Sequence, residues 1–170
     1  QNATKQYAEN LRLIADITGE DAKKKMEEAE VASRELIFRQ KIAQMGLDIN
    51  QVIQGMAPLP KVAKQSLIDM VATNGAIINQ SGAIMKGQIK GFDPMMKEIF
   101  ATLKAGNLTT TASANTMAKF GPAIGNSIKN ATHFGMALRY GEDDMGGLQE
   151  AMTSMWDASQ KVTKSSVQSA

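Results

Sequence analysis

The sequence predicts an all-α fold, a multi-helix array of helical hairpins with glycine and proline breaks. Three observations carry that expectation. Along the 170 residues, apolar side chains recur at three- and four-residue spacing, the period of a helix and not of a strand. Hydrophobic residues make up 43% but aromatic ones only 5%, so burial falls to Ala, Met, Ile, Leu and Val, which suit helix packing better than an aromatic β-core. Gly, Asn and Pro stand between the periodic stretches, where helices stop and start.

Tyr7, Leu11, Ile14 and Ile17 share one face and Gly19 follows, which predicts a first helix over 3–17. Thr18 and Asp21 have the spacing of a capping box. A second helix over 20–45 follows, with Glu20–Lys24, Asp21–Lys25, Glu30–Arg34 and Glu35–Arg39 as i,i+4 pairs in the favourable acid-first order. The two helices are expected to form an antiparallel hairpin about Thr18-Gly19, with Leu11 and Ile14 against Met26, Ala29 and the Leu36 face. Gly46 suits the position after a helix end, and Asp48 can cap a short helix carrying Ile49, Val52, Ile53 and Met56.

Ala57-Pro58-Leu59-Pro60 must be extended. Pro60 suits the first turn of a helix over 61–73, whose apolar face is Ala63, Leu67, Met70 and Val71 and whose stop is Asn74-Gly75. Residues 76–90 have weaker periodicity and two internal glycines, each unfavourable by about 1 kcal/mol against Ala in a helix. Tertiary contact must hold them. Asp93-Pro94 reads as a cap followed by Pro at the first position of a helix over 94–105, with Met96, Ile99, Phe100 and Leu103 inward. Thr109–Asn115 reads as a polar loop. Met117, Phe120, Ile124, Ile128 and Ala131 then resume helical spacing, with a kink or break at Gly121-Pro122. The acidic run Glu142, Asp143 and Asp144 leads into a last amphipathic helix over 145–162.

Nineteen basic residues against seventeen acidic ones give a net charge of +2, too little to predict specific nucleic-acid binding. Residues 1–64 carry ten basic and nine acidic groups, 65–130 six and three, and 131–170 three and five. Lys and Glu cluster before residue 46, while Gly, Ala, Asn and Thr dominate after it. The expected boundary lies near 105–112, giving a helical module over 1–105 and a second segment over 106–170 that ends in the amphipathic helix. The chain begins at Gln1, without an initiator Met or a leader pattern, and reads as part of a longer polypeptide.

Zero cysteines exclude a thiolate nucleophile, a disulfide framework and any cysteine-ligated metal within the chain. His133 has no local Ser or acid to form a relay, and a structural role suits it better. Gly82-Ala-Ile-Met-Lys-Gly87 has phosphate-loop glycine spacing, but Gln88 and Ile89 stand where Lys and Ser or Thr are needed. Glu142–Asp144 lacks calcium-loop spacing and reads as helix capping. No catalytic residue, cofactor or metal is expected. Gly87–Gly91 and Gly121–Gly125 each have the GxxxG spacing of close backbone approach.

Twelve methionines suggest surfaces that repack against a partner, or else a soft core. Met145, Leu148, Met152, Met155 and Trp156 form one stripe of the last helix, opposite Gln149, Glu150, Thr153 and Asp157. They are the candidate face for self-association or a partner, and internal packing would use the same residues.

Tyr7-Ala-Glu-Asn-Leu11, Ile17-Thr-Gly-Glu-Asp21, the charged helix into Phe38-Arg39 and Met45-Gly46, then Leu59-Pro60 and Thr73-Asn74-Gly75 follow one another in an order that resembles the helical modules of bacteriophage tail tape-measure and related internal tail proteins. The resemblance covers residues 7–105. It implies a structural role in the virion tail, in tail assembly, length determination and genome delivery. The partners it implies are copies of the chain itself and tail-tube, hub or baseplate proteins, with the host membrane met at ejection. Tape-measure rods have longer uninterrupted helices than residues 46–140 allow, so an elongated array and a compact region near the tail tip both stay open. The alternative is a membrane-active or pore-forming helical protein, favoured by the charge-poor stretches at 70–90 and 112–138.

Overall fold

The computed structural model describes residues 4–5, 20–132 and 142–169, with side-chain surroundings for residues 4–5, 24–131 and 147–161. The predicted helix over 3–17, its Leu11 and Ile14 contacts, and His133 lie outside what is described. Among the described residues the secondary structure is helical throughout, with no strand. Besides the helical residues 4–5, seven helices are described, in order: α1 Glu20–Gln44, α2 Ile49–Met56, α3 Lys61–Thr73, α4 Gln80–Gln88, α5 Phe92–Lys104, α6 Thr110–Thr132 and α7 Glu142–Ser169.

Short polar signals end and start these helices. Gly46, at φ +75°, closes α1 as its amide donates to Ala43 O and that of Leu47 to Ile42 O, a helix end that needs a left-handed residue. Asp48 Oδ1 accepts from Asn50 N at 2.9 Å and caps α2. Pro60 is the N-cap of α3, one residue earlier than its expected place in the first turn. Asn74, at φ 63°, ends α3, with Gly75 N donating to Met70 O.

The last helix, expected over 145–162, runs from Glu142 to Ser169, and three other places also differ from expectation. First, α5 begins at Phe92 behind a left-handed Gly91, so Asp93 lies in its first turn and Pro94 follows within it, where a missing N–H is still harmless. Asp93 pairs with Lys97 at 3.1 Å. Second, Thr109–Asn115 is not a loop: Thr109 Oγ1 accepts from Ala112 N at 3.0 Å, and α6 starts at Thr110. Third, of the kink or break expected at Gly121-Pro122, the break is absent: α6 continues through Pro122. The proline ring is exposed, so the carbonyl it leaves without a helical donor is on a side that water can reach.

One hydrophobic core runs from Phe38 and Ile42 on α1 to Leu148, Met152 and Met155 on α7. At its centre α5 contributes Phe92, Met95, Met96, Ile99 and Leu103, all fully buried. The predicted faces of α3 and α5 point into it. The core also continues across the boundary expected at 105–112. Leu108 is buried, and a Cβ on Gly55 would come within 2.6 Å of Leu108 O. Ser113, fully buried, donates to Gly55 O at 2.6 Å. These contacts bind α2 to the start of α6, so the two segments share a core.

Candidate functional site

The residues proposed from sequence as a partner face lie on α7. Leu148, Met152 and Met155 are buried within the chain's own core, and Trp156 is half-buried against it. The side chain of Met145 is outside the described residues. Within a single chain these three side chains are already covered, so they are not an open docking face. The stripe fits the alternative of internal packing: α7 lies chiefly against α6, with further contacts to α3 and α4.

That interface explains one glycine motif and not the other. A Cβ on Gly125 would stand 2.8 Å from Ser159 Oγ, and one on Gly121 3.7 Å from Ser159 Cα. Ser159 is buried and its hydroxyl donates to Trp156 O at 2.7 Å, so it cannot turn aside without losing that bond. Gly87, by contrast, is exposed within α4, and a Cβ there would meet nothing within 4 Å. Two opposite outcomes are therefore expected in thermal or urea unfolding. Gly125→Ala destabilises by about 1–3 kcal/mol through overpacking, and Gly87→Ala stabilises by about 0.5–1 kcal/mol because it adds helix propensity without a clash.

The phosphate-loop spacing at Gly82–Gly87 falls inside α4. Gly82 N is taken by Asn79 Oδ1 at 2.8 Å, and the Cβ of any other residue there would meet Ser66, Asn79 and Ile77. The backbone of Glu142–Asp144 forms the start of α7. Among the described residues, no three His, Asp or Glu side chains come together to hold a metal, and no helix is long and apolar enough to cross a membrane.

The strongest concentration of buried polar chemistry was not expected from the sequence. Asp69, on α3, is 0% exposed. Its Oδ2 accepts from Asn79 N at 2.6 Å, Asn79 Nδ2 at 2.8 Å and Ile78 N at 3.0 Å. Oδ1 has no hydrogen-bond partner, but Arg34 Nε of α1 lies 3.1 Å from it as an ion pair. Buried Ser66 accepts from Asn79 Nδ2 at 3.2 Å. Arg34 thus turns to Asp69 and not to Glu30, the i,i+4 partner expected for it. The available signal was an acid set between Ile68 and Met70, one turn from Ser66, on the apolar side of a helix whose lysines, Lys61 and Lys64, lie in its first turn. Pairing and hydrogen bonding make such a burial tolerable.

Two open grooves lie among the described residues. One, of about 450 Å³, lies between the end of α4 and the outer side of α6 and is lined by Gln88, Lys90, Asn126, Ser127 and Asn130 among others. The other, of about 310 Å³, lies where Pro58–Lys61 meets α6 and α7, with Met117 and Ala158 in its wall. The second groove is also bordered by Lys61, Ser154, Asp157 and Lys161. Leu36, Met45, Ile53 and Ile78 are the large hydrophobic side chains exposed among the described residues. Comparison with protein-family models, curated proteins and solved structures finds no match to this chain.

Proposed function

We propose that the chain is a structural component of a bacteriophage tail, a tape-measure-like protein inside the tail tube or at the baseplate hub. It acts in tail assembly, length determination and genome delivery, and works in the virion with copies of itself and with tube, hub or baseplate proteins. The observation that carries the reading is where the motifs of the resemblance fall. Met45-Gly46 closes α1, Leu59-Pro60 opens α3, and Thr73-Asn74-Gly75 closes it, so the resembling residues are the punctuation of a helical array. Further support comes from α1, whose Lys24, Lys25, Glu27, Glu28 and Glu30 are exposed, a solvated charged face of the kind that assembly partners can meet.

The test is a deletion of the codons for residues 20–132 from the parent gene in the phage that carries it, with tails measured by electron microscopy. Shortened tails, or particles that fail to assemble tails, support the proposal. Tails of normal length and normal infectivity overturn it. If the purified chain also releases dye from liposomes, the membrane-active reading takes its place.

A further inference from the structure

Asp69 divides its two oxygens between two parts of the fold. Oδ2 holds the turn that follows α3, through the amides of Ile78 and Asn79 and the side chain of Asn79. That turn also fixes the start of α4, because Asn79 caps it through Gly82 N. Oδ1 is matched by Arg34 of α1 alone, 3.1 Å away.

We propose that this carboxylate is a coupling device that makes the docking of α1 and the closure of the turn over residues 74–79 a single event. The physical reason is the burial of the charge. With Arg34 withdrawn, Oδ1 is an anionic oxygen in the interior with neither hydrogen bond nor counter-charge, a state far less favourable than exposure to water. The carboxylate is rigid, so turning Oδ1 toward water takes Oδ2 away from the amides of Ile78 and Asn79. Opening the turn first has the reciprocal effect: water reaches the carboxylate, and its attraction for Arg34 is weakened by screening. A contact that draws α1 aside therefore loosens the start of α4, and one that pulls on the turn loosens α1, as linkage requires. Gly82 tightens the arrangement, since its Cβ-free backbone lies against Ser66 and Asn79. This inference concerns the fold's internal linkage and stands apart from any role in a tail.

Amide hydrogen exchange on the full chain tests it. In Arg34→Met, the amides of Ile78, Asn79 and Gly82 should exchange at least about tenfold faster, together with those of residues 35–42, while those of Met96 to Leu103 in α5 keep their protection. Arg34→Lys should restore much of the protection of the turn by returning the charge. From the other side, Asn79→Ala should speed exchange in residues 35–42 of α1, to which Asn79 makes no hydrogen bond. If Arg34→Met fails to fold, Arg34→Lys and Asn79→Ala carry the comparison. Faster exchange in α1 with an unchanged turn overturns the proposal, as does an equal rise in every helix including α5.

Discussion

Asp69→Ala should lower the unfolding free energy by about 3–5 kcal/mol, the loss seen when one partner of a buried charge pair is removed. The change leaves the amides of Ile78 and Asn79, the Asn79 side chain and Arg34 without their acceptor at once. Arg34→Met leaves the Asp69 carboxylate buried without its counter-charge, so it should also destabilise. Asp69→Ala removes the acceptor of several donors together and should be the more damaging half of the pair. Urea unfolding of the two variants beside the parent chain measures the order, and a loss below about 1 kcal/mol for Asp69→Ala would show that the turn finds other acceptors.

Phe92→Ala is expected to destabilise by a similar amount, about 3–5 kcal/mol, from lost burial and the cavity left behind. Phe92 is fully buried at the first turn of α5. Gly91 enters that turn at φ +92°, where a Cβ would lie 3.1 Å from Ile124, so the backbone of this corner is already close against α6 and has little freedom to collapse into the void. Phe92→Leu should retain most of the stability, as better volume-matched substitutions do. Denaturant midpoints of both variants read the difference, and an Ala variant as stable as the Leu variant would mean that the corner does close.

The helices were legible because their signals are local. Gly46, Asp48 and Asn74-Gly75 are punctuation whose effect depends on a few neighbouring atoms, and each acts as its type predicts. Errors arose where a distant partner decides. Thr109–Asn115 looks like a loop by propensity, yet Thr109 caps a helix and Ser113 bonds Gly55, 58 residues away. The weak periodicity of residues 76–90 called for tertiary support without naming it, and Asp69 supplies that support from the preceding helix. For the stripe on α7, amphipathicity told that one face is buried but not by what. Leu148, Met152 and Met155 are covered by the same chain, and a helical period alone cannot separate that from a partner.

The core's reliance on thioethers has a chemical corollary. Met85, Met95, Met96 and Met155 are at most 1% exposed, while Met45 at the end of α1 is 38% exposed. Sulfoxidation turns a pliable apolar side chain into a polar one, so among the described residues Met45 meets a peroxide before these four, and little of the described interior is at stake. Once unfolding uncovers the others, the same reagent can make their return to the interior unfavourable. Oxidant exposure would then act as a ratchet, leaving intact molecules almost unchanged and marking those that had opened.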